Sequence, residues 1–332
     1  MAAAALGLPA LHAQPPPEGR KVTISVGGKA AFLCLPLTIT EQLGYFKAEG
    51  LSVTIADFES GALALQALTT KSADVCSAGF EHTIHLQSSQ QMVQSFVLQG
   101  RAPQIAFGIA TRDLPAYKST ADLKGKKIGI PAVGSSSAMM ASLVLAQGGL
   151  KTSDVSFTVV GDSDGALSAL RSGQIDAMSN TDPLMTMLEQ KGEVRIISDA
   201  RTLKGTAELF GGPMPAACLL APLDFIRKNP ATCQALANAM VRGLKWLQTA
   251  GPGDMIKTVP ENYLLGDRGL YIASFNTVRE SLSLDGILAE DAPRTALKVL
   301  ARFDAGIAAH KIDLSKTYTN EFAQRAKERF KA

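Results

Sequence analysis

The sequence predicts an α/β protein built as two similar lobes, and three observations carry this. A motif occurs twice: Ala64-Leu65-Gln66-Ala67-Leu68 followed by Asp74 returns as Ala166-Leu167-Ser168-Ala169-Leu170 followed by Asp176. The surroundings repeat as well. Lys21-Val22-Thr23-Ile24 resembles Lys127-Ile128-Gly129-Ile130, and Glu49-Gly50-Leu51 before Val53-Thr54-Ile55 resembles Gly148-Gly149-Leu150 before Val155-Ser156-Phe157. Each copy reads strand, helix, strand, helix, strand, a pattern that makes largely parallel or mixed sheets covered by helices. The crevice between two such lobes is a natural ligand site.

Taken in order, Val22 to Val26 alternates β-branched residues and reads as a strand. Pro36 opens a helix, where its missing N–H costs nothing, and Leu35, Ile39, Leu43 and Phe46 share one face. Leu51 to Ala56 is a strand, Ser60 caps a helix over Ala62–Leu68, and Ala73 to Ala78 is a short strand. A helix over Glu81–Gln90 and a strand over Met92–Leu98 follow, and Gln104 to Ala110 crosses into the second lobe. There the pattern predicts strands at Lys126–Pro131, Gln174–Met178 and Val194–Ile197. Helices are predicted after Gly134, at 165–172 and after Asp182-Pro183. Around Pro213 to Leu220 the chain crosses back. The remainder reads as helices at Asp224–Arg227, Thr232–Gln248, the 270s–280s, Ala292–Ala308 and Asn320–Lys331, expected to pack on the first lobe. Lobe 1 is thus expected at 19–104 plus 217–332, and lobe 2 at 105–216.

The chain has 332 residues, enough for about two domains, with 46% hydrophobic and 19% charged residues, an ordinary globular composition. A net charge of +3 with no basic stripe gives no argument for nucleic acid. No stretch approaches the 18 or so apolar residues of a membrane helix. Met1 to Ala13 is rich in Ala and Leu and precedes Pro15-Pro16-Pro17. Residues 1–18 read as the back half of a secretory signal, with a disordered Ala/Pro tail as the alternative. The four cysteines, Cys34, Cys76, Cys218 and Cys233, lack metal-site spacing. They read as small buried hydrophobes, with a Cys34–Cys76 bridge as the alternative in an exported protein. There is no nucleophile elbow, P-loop, GxGxxG or HExxH.

Several segments resemble one family. These are Pro36-Leu37 through Glu41, Gly44-Tyr45-Phe46, Glu49-Gly50-Leu51, Ala64 to Leu68 and Ala73-Asp74-Val75. Further on come Asp122-Leu123-Lys124-Gly125 through Gly129, Gly134-Ser135-Ser136, Gly173 to Asp176, Asp182-Pro183, and Phe225-Ile226 with Asn229-Pro230. In order and spacing they resemble the substrate-binding proteins of nitrate/sulfonate/taurine-type ABC transporters, related to the thiamin-pyrimidine (NMT1-like) binding proteins. The resemblance implies a two-lobed periplasmic-binding-protein fold (type II) with two hinge crossings, periplasmic location, and capture of a small solute in the inter-lobe cleft; the helix-start serines and Arg101 point to an anionic organic solute, a sulfonate, carboxylate or pyrimidine-like compound. It implies permease and ATPase subunits as partners, a monomeric state, no cofactor, and no catalytic residue. Thr181 departs from the family, which often carries an aromatic before the Asp-Pro. An enzyme acting on a small aromatic or pyrimidine-like acid is the alternative on this fold. The dispersed cysteines differ from the Cys-rich motif of the fungal thiamin-pyrimidine synthase.

The candidate ligand residues follow from position. Ser135, Ser136 and Ser137 start a helix after a strand, where unpaired N–H groups and the helix dipole favour an anion, with simple N-capping by one serine as the alternative. Leu33, Cys34 and Leu35, at the end of the first strand, line the opposite wall or pack in the core. Phe80 and His82 follow the third strand at its carboxyl edge, with His82 facing a ligand carboxylate or merely the surface. Arg101, beside the first crossing, is placed to grip an anion bidentately or to sit at the hinge. Asn180 and Asp182 close the second-lobe wall, Asp182 as ligand acceptor or helix cap, and Met214 is an adaptable apolar wall or part of a Gly/Pro turn.

Overall fold

The computed structural model describes residues 20–161, 164–264, 266–302 and 304–332. The expected export signal at 1–18 lies outside the described residues. The chain enters through β1 (Arg20–Gly27), α1 (Leu35–Gln42), α2 (Tyr45–Ala48), β2 (Leu51–Phe58), α3 (Gly61–Thr69), β3 (Val75–Gly79), α4 (Glu81–Ser88) and β4 (Val93–Leu98). It crosses as β5 (Ile105–Ala110) and continues through β6 (Lys127–Ile130), α5 (Ser136–Gln147), β7 (Ser156–Val159) and α6 (Asp164–Arg171). Then come β8 (Ala177–Thr181), α7 (Leu184–Gln190), β9 (Val194–Asp199) and α8 (Leu203–Phe210). It returns as β10 (Ala217–Pro222), followed by α9 (Leu223–Lys228), α10 (Pro230–Thr249), α11 (Pro252–Thr258), α12 (Arg268–Val278), α13 (Ala292–Leu300), α14 (Ala305–Ala309) and α15 (Glu321–Phe330).

The strands form two sheets of the same plan, ordered β2-β1-β3-β10-β4 and β7-β6-β8-β5-β9. In each, the first three strands are parallel and the strand delivered by a crossing runs antiparallel between the third and the last. The fold is therefore α/β with mixed sheets, as the repeat predicts. The repeated aspartate has a structural role in both copies. Asp74 accepts the Thr23 N–H at 2.9 Å and donates its own N–H to Thr23 O; Asp176 does the same with Lys127 at 2.8 Å. Each carboxylate ties the start of its parallel strand to the neighbouring strand's entrance. The repeated Ala and Leu positions (Ala64, Ala67, Leu68; Ala166, Ala169, Leu170) are buried on the helix face toward the sheet.

Local chemistry sets the helix ends. Pro36 lies in the first turn of α1, Ser60 Oγ accepts the Leu63 N–H at 3.4 Å at the head of α3, and Ser135 Oγ accepts the Ala138 N–H at 3.2 Å at the head of α5. Val22, Ile24 and Val26 pack with α10 residues such as Leu236 and Met240. Glu49, from the family-like Glu49-Gly50-Leu51, is buried and gripped by Asn238 at 2.9 Å, Arg329 at 3.2 Å and Arg242 at 3.6 Å, fastening α2 to α10 and α15. All four cysteines are buried and none is joined in a disulfide.

Four features differ from the sequence expectation. β8 runs over Ala177–Thr181 instead of Gln174–Met178, because the turn after α6 occupies Gly173 and Gln174 and the strand continues through polar residues. The return segment is a full strand, β10, and not only a crossing. Leu203–Phe210 is a helix capped by Thr202, whose Oγ1 accepts the Gly205 N–H at 3.0 Å, where no helix was expected. The C-terminal helices do more than pack on the first lobe: α12 packs there through Tyr271 and Phe275 against Phe32, and its Leu270 also joins Leu184, Met185 and Leu188 of α7 in the second lobe's core.

Candidate functional site

Two cavities lie in the crevice between the lobes, and Thr181 lines both. The first is small, about 70 Å³, room for roughly five water-sized groups. Three helices begin at its wall. Gly61 opens α3, Glu81 opens α4, and Ser136 opens α5 from the opposite lobe. Such N-termini present unpaired backbone N–H groups and a positive dipole end.

Close packing sets the first-lobe wall. A Cβ on Gly27, at the end of β1, would lie 2.2 Å from Gly61 N, so only glycine lets the head of α3 come against the strand end. At the end of β3, a Cβ on Gly79 would lie 2.4 Å from both Glu81 carboxylate oxygens, so the acidic side chain folds over the glycine and into the cleft. Glu81 is 3% exposed and His82 6%. Burial pushes the His82 pKa down, opposed by the neighbouring Glu81 charge and reinforced by His85, leaving the ring neutral near pH 7. His82 Nε2 lies 3.9 Å from Glu81 Oε1, beyond hydrogen-bond reach, and its ring has no hydrogen bond among the described residues.

On the second-lobe wall, Ser135 serves as the N-cap, Ser136 Oγ donates across the cleft to Glu81 Oε1, and the buried Ser137 hydroxyl has no partner among the described residues. Met214 and Met139 give apolar surface, and Ser77, held by Gln99 Nε2 at 2.8 Å, forms part of the floor. Among the described residues no Lys or Arg lines this cavity.

Thus Leu33, His82, Ser135, Ser136, Ser137 and Met214 of the predicted residues come together. The others do not. Cys34 and Leu35 lie in two apolar cores, and Leu33 is the residue of that segment at the cavity. Phe80 is fully buried in the core behind the wall. Arg101 reaches away from the cleft, its Nε donating to Glu280 O at 3.0 Å. Asn180 Oδ1 accepts the Thr181 N–H at 2.8 Å and the residue is buried in β8, away from both cavities. Asp182 caps α7 by accepting the Thr186 N–H at 2.7 Å and lines the second cavity, about 440 Å³, together with Ala31, Met187 and Tyr263. Among the described residues no hydrogen bond joins Ser137, His82 and Asp182, so they do not form a nucleophile, base and orienter. Glu81 also lines the cavity and was not among the residues expected there, although its place after a strand-end glycine was the available signal.

The profile of the family described as NMT1/THI5 like matches residues 33–250. This chain belongs to that family. A solved structure from Bordetella bronchiseptica RB50 is 54% identical, with a TM-score of 0.91, covering 94% of this chain and 98% of that one. The alkanesulfonate-binding protein SsuA from Xanthomonas axonopodis pv. citri, solved bound to MOPS, is 20% identical with a TM-score of 0.69, covering 91% of this chain and 99% of that one. It therefore shares the fold. A protein of Escherichia coli (strain K12) named for binding aliphatic sulfonates is 26% identical over 219 residues. That match spans 66% of this chain and 65% of the Escherichia coli protein's length. No helix among the described residues is long and apolar enough to cross a membrane.

Proposed function

We propose that this family member is the periplasmic solute-binding component of an ABC importer. It captures a small organic solute with an anionic or strongly accepting head group and presents its closed form to a membrane permease served by ATPase subunits. The observation that carries this reading is the buried cleft where α5 of one lobe faces α3 and α4 of the other, with unpaired donors from both lobes. A sulfonate or carboxylate at the head of α5 would accept the first-turn N–H groups and the Ser137 hydroxyl. The names of the sulfonate-binding relatives support the same solute class.

The test is thermal unfolding of ligand-stripped protein against taurine, alkanesulfonates, nitrate, aromatic carboxylates and pyrimidines. A ligand at about 100 times its dissociation constant adds about 2.7 kcal/mol. One class is expected to stabilise the protein without being converted, as judged by mass spectrometry. The Ser136→Ala, Ser137→Ala double variant is expected to weaken binding by about 1–3 kcal/mol. Chemical turnover of the stabilising compound would overturn the reading in favour of an enzyme, and stabilisation by no class would also overturn it.

A further inference from the structure

We infer that the solute carries an amino group opposite its acidic head, and that Glu81 is the residue that selects it. This rests on the cleft being the solute site and names the solute more closely: a small amino-bearing acid. The argument is one of charge balance in a buried place. Glu81 is 3% exposed, and its carboxylate is held over Gly79 toward the second lobe. Among the described residues lining the cavity it is the one acidic side chain, and no Lys or Arg stands beside it. A buried carboxylate without a cation or several donors is costly.

Among the described residues Glu81 has one donor, the Ser136 hydroxyl from across the cleft. A solute entering between the lobes meets that contact first. A plain anion seated at the head of α5 would take Ser136 for itself and leave Glu81 facing a second negative charge. An ammonium group supplies up to three N–H donors and a compensating charge at the same point. Two further polar side chains set this cavity apart from a bare helix end. Ser137 is 4% exposed and His82 6%, both line the space, and neither side chain has a hydrogen-bond partner among the described residues. The head group is assigned to Ser137 and the α5 N-terminus, the amino group to Glu81, and the small volume favours a short spacer.

Calorimetric titration with matched pairs differing only in the amino group tests this: taurine and ethanesulfonate, 3-aminopropanoate and propanoate, 4-aminobutanoate and butanoate. For at least one pair the amino compound is expected to bind the natural protein about tenfold or more tighter. In Glu81→Gln that ratio is expected to fall toward one. A ratio at or below one in the natural protein overturns the inference, as does a ratio unchanged in Glu81→Gln. If Glu81→Gln fails to fold, the natural protein's ratio alone decides. Binding of amine-free solutes only would leave the cleft a solute site and overturn the inference. Binding of no solute in this or the wider panel would overturn both.

Discussion

At position 182 the fold leaves a carboxylate with one oxygen engaged and the other without a partner. Oδ1 accepts the Thr186 N–H, while Oδ2 is buried and makes no hydrogen bond. The nearest cation, Arg201, stands 3.7 Å away and is committed elsewhere, with donors to Asp199, Glu189 and Thr186. Burial therefore dominates and raises the Asp182 pKa to about 6, against the lowering influence of Arg201 and Thr186. The sign follows directly. Between about pH 4 and pH 6 the folded state holds a proton that the unfolded chain has released, so stability falls as pH rises through this window. The loss levels off above it and totals about 3 kcal/mol. Asp182→Asn keeps the cap and removes the titration, so urea unfolding from pH 4 to pH 7 is expected to show a smaller decline in the variant. An identical pH profile would refute it. This residue also shows where sequence reading stops. Strand-end and helix-start positions identify Ser135 to Ser137, His82 and Met214 because backbone position alone puts them at the cleft. Cys34 against Leu33, and Asn180 against Thr181, are separated by one residue of pleat or helical turn, which sets which side faces the ligand. Arg101 turns toward a segment 179 residues away, a contact no local pattern reveals.

The repeated element makes a sharper statement than the single residue. Asp74 and Asp176 hold the same two backbone groups in two sheets of one plan. Both are half-buried, and a hydrogen bond from backbone N–H to a carboxylate is worth about 1.5–3 kcal/mol at most in such places. Asp74→Ala and Asp176→Ala are therefore expected to destabilise by similar amounts, about 1–2 kcal/mol each, read from urea midpoints at unchanged slope. A cost at only one of the two would mean that the repeat has kept its sequence and lost its shared role. The repeat was legible because it couples a helix of period 3.6 to a strand through one polar residue at fixed spacing. β10 was not, since Ala217 to Pro222 is an apolar run of Ala, Cys and Leu between prolines, which periodicity cannot tell from a buried connection. The helix over Leu203–Phe210 was masked by Gly205 within it and Gly211-Gly212 after it. Leu270's place beside α7 depends on tertiary contact alone.

At the scale of the whole molecule, the hydrogen bonds between the lobes divide into two groups. On the hinge side, Ser281 Oγ donates to Arg201 O and the Leu203 N–H donates to Glu280 Oε1 at 3.0 Å. Across the cleft, among the described residues, the Phe32 N–H donates to Asp182 O at 3.0 Å and Ser136 donates to Glu81. Opening the cleft about the two crossings would break the second pair, which spans the cleft, and the first pair lies outside it. A neutral hydrogen bond contributes about 0.5–1.5 kcal/mol net and one to a carboxylate about 1.5–3 kcal/mol, so these two contacts bias the closed form by only a few kcal/mol. A solute that binds both walls adds its differential affinity to that bias. Ser136→Ala removes one cleft contact and leaves the hinge intact. In small-angle X-ray scattering without solute, the variant is expected to have a larger radius of gyration than the natural protein, and saturating solute is expected to narrow the difference. Equal radii without solute would show that Phe32, Asp182 and the apolar packing behind them hold the lobes together. The Ser136–Glu81 contact would then serve recognition and not closure.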